Sequence, residues 1–303
     1  MKRLGLEVIV CAAFLLLSVQ FGAAADETSF SAIIPDAKWE VAVEGLGFCD
    51  GLTCDREGNL YFSDLKAKPA VIWKLAPDGA KTKVAEGQSR SGLRMGADGK
   101  LYACGSGKIA VYELPSGKET ILAEGLQPND LTVSAKGFVY FTETGKKQVT
   151  MVDVKSKSVK AADVGISKPN GIALSPDQSV LYVSDYGGIN VWAFKVGEDG
   201  TLSEKKALMT MKAPEKNPNV AGGDGMTTDS DGRAYVTTAL GVQVFDKEGK
   251  LLGILAKPMP NAALVSVGFA GKEMDTLYIA CGDKIYKRKA NVKGATTAVA
   301  AEK

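Results

Sequence analysis

Asp50, Ser91, Asn129, Asn170 and Asp224 share one place in a recurring pattern: each stands just before a short apolar or alternating segment. Brought to a common point, they offer two carboxylates, two amides and a hydroxyl. Carboxylates that close together repel unless something neutralises them, and a hard divalent cation with oxygen donors does so. The chain contains no histidine. That excludes a Ser-His-Asp triad, a Cys-His pair and every histidine-ligated metal site. It also lacks a CxxC pair, which leaves little support for a thiolate site. Calcium therefore leads, with magnesium or manganese behind it, and water or substrate would complete the six to eight ligands calcium takes. Acid–base work falls to Asp, Glu, Lys, Tyr or water activated by the cation. The competing reading at each position is turn chemistry, since Asp and Asn before Gly are common turn residues. Recurrence in several units is what favours a site.

Convergence requires a fold that turns sequence repeats into a ring. Six related segments occur, among them GLTCDREGNLYFSD from Gly51, GLRMGADGKLYACG from Gly92 and GMTTDSDGRAYVTT from Gly225. Each has a short alternating stretch, a polar turn and a second apolar stretch with a tyrosine: Tyr61, Tyr102, Tyr140, Tyr182, Tyr235 and Tyr278, spaced 38 to 53 residues apart. These read as hairpins. A third apolar segment follows in most units, carrying Trp73, Tyr112, Met151, Trp192, Phe245 or Tyr286. Units of about forty residues with four short strands are propeller blades. The fold class expected is all-β, a six-bladed β-propeller. The sixth unit runs out near Lys289, so the alternating WEVAVEG from Trp39 is expected to supply its fourth strand and close the ring. An open β-solenoid is the rival, with a period that fits less well. In the sixth unit the ring position falls to Val265 or Ser266, depending on register.

The termini and bulk composition add limits. Lys2 and Arg3, an apolar run from Val8 to Val19 and the small residues Ala23-Ala24-Ala25 read as a secretory signal peptide over 1–25. The run is short for a membrane span, and Cys11 follows Val10, unlike a lipid-attachment cysteine. The propeller is assigned to 26–290, and 291–303 is expected to be a disordered tail. A net charge of +2 gives no field that would draw nucleic acid or anionic lipid. No stable membrane insertion is expected, and export implies a periplasmic or secreted protein. Cys49, Cys54, Cys104 and Cys281 remain after cleavage. Three full pairings or buried free thiols are equally open.

The segments DGLTCDREGNLYFSD, PND at 128–130, PNGIALSPD from Pro169 and DGMTTDSDGRAYV from Asp224 resemble the gluconolactonase/regucalcin (senescence marker protein) family of six-bladed propellers. The resemblance runs from about Trp39 to Arg288. It implies that Asp50, Asn170 and Asp224 are metal ligands, with Asp224 also the candidate general base. It implies that Asn129 binds metal or substrate. Asp50 stands where the family usually has Glu, one methylene longer. Gln127 takes the place of a substrate-binding Arg found in some animal members, and Ser91 that of a longer polar residue.

Together these readings lead to a divalent-metal-dependent hydrolase of a lactone or sugar-derived ester. Its substrate contacts would come from Asn129, Ser91, Gln127 and Asp130, with Asp130 and Asp185 as reserve bases. A fluorophosphatase-type phosphotriesterase and a non-catalytic, calcium-stabilised binding propeller are the alternatives. The long interval from Ala193 to Gly223, with KAPEKNPNVAGG leading into Asp224, is expected to overlie part of the channel mouth or to be a plain surface insertion.

Overall fold

Residues 27–295 are described by a computed structural model. The proposed signal peptide lies outside them, as does the stretch 296–303. Short polar turns every few residues and β-branched and aromatic residues between them yield six four-stranded antiparallel sheets. The inner strands are Cys49–Cys54, Gly92–Met95, Leu131–Val133, Pro169–Leu174, Met226–Thr228 and Leu264–Ala270. Each inner strand touches the next around the hub, and the sixth touches the first. The expected propeller is therefore observed, and it is closed.

Closure is made as the sequence predicts. Glu40–Val43 pairs antiparallel with Lys284–Lys289, Val41 lying opposite Tyr286. The N-terminal strand thus becomes the outer strand of blade 6, and unfolding either end opens the ring. Each repeat tyrosine lies on the second strand of its blade. Three of them donate to the aspartate of their own turn at 3.0 Å: Tyr61 to Asp55, Tyr102 to Asp98 and Tyr235 to Asp229. This explains why turn Asp and strand Tyr recur together.

Packing follows the same geometry. The buried apolar side chains fall into six clusters, one between each pair of adjacent blades. The cluster joining blades 6 and 1 unites Val43, Leu52, Phe62, Ala280 and Ile285. The four cysteines beyond the N-terminal segment are free thiols, three of them buried. Burial pushes the thiols of Cys49 and Cys54 up to about 12, so both are inert packing groups.

The tail is held to the propeller for its first residues. Gly294 N–H donates to Met274, and Ala295 N–H donates to the Thr228 carbonyl at 2.9 Å. Residues 293–295 thereby lie against the end of the channel opposite the polar ring. Among the described residues no helix is long and apolar enough to cross a membrane.

The seam beside the closing blade is tight. Gly58 has φ +80°, and a Cβ there would stand 2.3 Å from the Gly271 carbonyl oxygen, while Gly271 N–H donates to Gly58 O at 3.0 Å. Gly58→Ala is expected to cost roughly 2–4 kcal/mol in urea unfolding. Gly79→Ala, also at positive φ but with open space around it, should cost only about 1 kcal/mol. Equal losses would show that the Gly58 contact is not tight in solution.

Candidate active site at the propeller hub

The ring residues sit where the inner strands begin, and the reason is steric. Inner strands of adjacent blades converge so closely that a side chain at certain positions has no room. A Cβ on Gly171 would meet the Asp224 carbonyl oxygen at 2.0 Å, and one on Gly225 the Val265 carbonyl oxygen at 2.5 Å. Neither glycine has a positive φ. Close approach, not left-handed turn geometry, selects them, so turn chemistry does not account for Asn170-Gly171 or Asp224-Gly225. Blade 3 departs from this rule by placing Asp130 where its neighbours have glycine. The Asp130 side chain lies over Gly92, whose added Cβ would stand 2.7 Å from Asp130 Oδ1.

Asp50, Asp130 and Asp224 act on one another electrostatically within the channel. Asp50 and Asp224 keep some exposure to the channel, but protein encloses them. Burial raises the Asp50 carboxyl to about 8, and the Asp130 charge adds to the rise. Burial holds the Asp224 carboxyl well above the usual range, followed by repulsion from Asp50 and Asp130. Gly225 N–H and the Asn170 side chain pull it back. Burial lifts Asp130 to about 6, against the Arg94 charge and hydrogen bonds from Leu131 and Ile172.

Asn170 shows what this ring fits. It is 8 % exposed, and its Oδ1 is buried without a hydrogen-bond partner among the described residues. A buried amide oxygen without a donor is costly. Here it sits beside mutually repelling carboxylates, the donor set of a hard divalent cation. The described residues hold no cluster of three or more His, Cys, Asp or Glu side chains arranged for a metal. A cation would therefore rest on the carboxylates of Asp50 and Asp224 together with amide oxygen.

The other candidate residues and their neighbours differ in what holds them. The side chain of Asn129 makes no hydrogen bond among the described residues, while its carbonyl accepts from Ser91 Oγ at 2.6 Å and Cys104 Sγ at 3.3 Å. Ser91 thus braces the blade 3 turn, and its one proton is committed to that backbone. Asp130 accepts from Leu131 N–H at 2.8 Å and Ile172 N–H at 3.3 Å, which makes it part of the channel wall. Gln127 is exposed at the rim, its N–H held by Glu143 Oε1 at 2.9 Å. Asp185 caps the N–H groups of Lys168 and Gly187, a strand-end role. Ser184 donates to the Asp224 carbonyl at 2.9 Å and fixes the start of blade 5.

Much of the long interval before Asp224 is strand, Leu202–Thr210. The rest is pinned to blades 4 and 5: Ala221 N–H to Gly188 O, and Lys212 reciprocally to the Gln243 amide.

Arg94 is a hub residue that the sequence pattern does not single out. It lies on the inner strand of blade 2, donates from Nη2 to the Ile172 carbonyl at 3.3 Å, and has a buried, unpartnered Nε. Two cavities of about 30 Å³ adjoin it, lined by Thr132, Ser175 and Thr227 in one and Thr53 and Thr227 in the other. The larger clefts, about 620 and 580 Å³, lie away from the carboxylates, one beside the Phe30–Trp39 segment and the other between turns of blades 1 and 2.

A closed six-bladed propeller with carboxylates and amides at its hub defines the class of this protein. The sequence profile described as the SMP-30/Gluconolactonase/LRE-like region matches residues 44–282, and the chain belongs to that family. It is 26% identical over 297 residues to a gluconolactonase of Zymomonas mobilis, covering 84% of this chain and 82% of that protein. A pentonolactonase of Haloferax volcanii is 28% identical over 125 residues, 40% of each chain. Among solved structures, a gluconolactonase of Xanthomonas campestris superposes with a TM-score of 0.74 at 22% identity, covering 86% of this chain and 92% of the other. A calcium-binding protein, regucalcin, of Agrobacterium tumefaciens does so at 0.71 and 16% identity, covering 86% and 96%. At those identities the two structures bear on the fold alone.

Proposed function

We propose that this protein hydrolyses a lactone with the help of a divalent cation, calcium before magnesium or manganese, held by Asp50, Asn170 and Asp224, with Asn129 at the rim. Family membership and the lactonases among its relatives support the reaction class. The observation that carries the site is the partnerless buried Oδ1 of Asn170 among carboxylates that repel one another. When bound, such a cation supplies Lewis-acid polarisation of the ester carbonyl. Asp224 accepts the proton of the attacking water as the new C–O bond forms, and returns a proton to the ring oxygen as the acyl carbon–ring oxygen bond breaks, leaving a hydroxy acid. Asn170 orients Asp224, and the unpaired amide of Asn129 is free to hold a substrate oxygen. Gln127 extends the same rim.

Export over 1–25 belongs to this reading. An N-terminus that remains at Met1 in the mature protein would contradict it. The functional test is a panel of sugar and aliphatic lactones assayed with and without a chelator, alongside an organophosphate. Lactone hydrolysis that disappears on chelation and returns with calcium is expected. Full activity without metal, hydrolysis of the organophosphate alone, or no hydrolysis by metal-loaded protein would each refute it.

A further inference from the structure

Arg94 and Asp130 meet at the same residue. Asp130 accepts from the Ile172 N–H at 3.3 Å, and Arg94 Nη2 donates to the Ile172 carbonyl at 3.3 Å. Ile172 lies on the inner strand of blade 4, which has no partner strand on its channel side. Side chains from blades 2 and 3 therefore satisfy backbone groups of blade 4. Among the described residues no carboxylate lies within ion-pair distance of Arg94, and its Nε has no partner. It is nonetheless the positive charge that acts on Asp130. Burial lowers the Arg94 guanidinium from its ordinary value while Asp130 opposes the shift; a guanidinium starts so far above neutrality that it keeps its proton there, where an ammonium gives it up.

Among the described residues the channel thus contains three carboxylates, Asp50, Asp130 and Asp224, and one guanidinium. The nearby acids on the blade ends are otherwise engaged: Asp64 with backbone N–H groups, Glu143 with Lys146 and Asp229 with Arg233. We propose that Arg94 is the fixed cation of the hub, offsetting Asp130 so that the channel carries a net charge of minus two and is matched to a single divalent ion. Asp130 is then a positioning residue linked to Arg94 through the backbone N–H and carbonyl of Ile172, and not a ligand. Arg94 sets which ionic charge the site prefers. Since buried charges are costly unless balanced, a mismatch in either direction lowers affinity for the divalent ion relative to an ion of better-matched charge. The inference rests on the metal reading above and deepens it.

The test is the ratio of terbium(III) to calcium affinity, measured by terbium luminescence and calcium competition on full-length protein, with thermal melts to confirm folding. An added negative charge attracts a trivalent ion more than a divalent one. Arg94→Met should raise the ratio roughly tenfold relative to wild type, Asp130→Asn should lower it about as much, and the double variant should return close to the wild-type value. A purely structural Arg94 would change both affinities together and leave the ratio fixed. Unchanged ratios in folded single variants, or a double variant that fails to return, overturn the proposal. If Arg94→Met does not fold, Asp130→Asn decides alone, since a ratio that does not fall refutes it. Wild type that binds neither ion overturns the metal reading itself, whereas binding without a ratio shift overturns only the role of Arg94.

Discussion

Asp224→Asn should lower lactone hydrolysis by about 10³-fold or more and weaken calcium binding by at least about tenfold while leaving the propeller folded. The substitution keeps the volume and the planar shape of the side chain. It removes one charge from a set of three carboxylates that repel one another and deletes the proton acceptor proposed for the attacking water. Its backbone anchors are independent of the carboxylate: Asp224 N–H donates to Thr237 O at 2.9 Å, and its carbonyl accepts from Ser184. The start of blade 5 should therefore stay in place. The metal-free variant should melt at or above the temperature of metal-free wild type at pH 8, because repulsion at the hub is relieved. A variant that loses activity and also loses the fold would point to a structural role for Asp224. One that keeps wild-type hydrolysis would remove it from the chemistry.

The second large effect concerns pH and metal together. In the metal-free protein the Asp50 carboxyl stands at about 8, Asp130 at about 6, and Asp224 well above the ordinary range. These folded-state values lie above those of an unfolded chain, near 4. Between about pH 4 and pH 8 the folded protein therefore binds more protons than the unfolded chain, and its stability falls as pH rises. Groups shifted the other way, Glu119, Glu143, Asp153, Asp177 and Asp199, lose their contribution only as pH drops below the ordinary carboxylate range, so they do not mask the trend. Metal-free protein should melt several degrees lower at pH 8 than at pH 5, corresponding to a few kcal/mol. Saturating calcium should abolish most of that slope by neutralising the ionised hub. Equal melting temperatures at the two pH values without metal would show that burial and mutual repulsion do not hold the hub carboxyls up in solution.

The blades were legible because their repeat is physical: a turn aspartate, a strand tyrosine and a close-approach glycine recur wherever the same packing recurs. Closure by the strand after Trp39 followed from a missing fourth strand in the last unit. The polar ring was legible too, though its reason was not. The sequence cannot distinguish a glycine required by left-handed backbone from one required by a neighbouring strand, and Gly171 and Gly225 are of the second kind. Arg94 was hidden because the face a side chain takes depends on local register, and inner strands here carry irregularities, as between Asp50 and Thr53. Its signal was present as a lone charge in GLRMG, where the corresponding segments carry Thr, Ala or Gly. Ser91 and Asp130 are expected substrate contacts whose own partners a sequence does not list; both groups are also engaged by backbone of a neighbouring blade.

The most direct measurement is a crystal structure of calcium-loaded protein with anomalous scattering used to locate the ion. One calcium is expected on the propeller axis, with oxygens of Asp50, Asn170 and Asp224 all within about 2.3–2.6 Å of it. An ion bound elsewhere, or a hub in which the Asn170 side-chain oxygen faces only water while calcium is saturating, would contradict the shared cation on which the proposed chemistry depends.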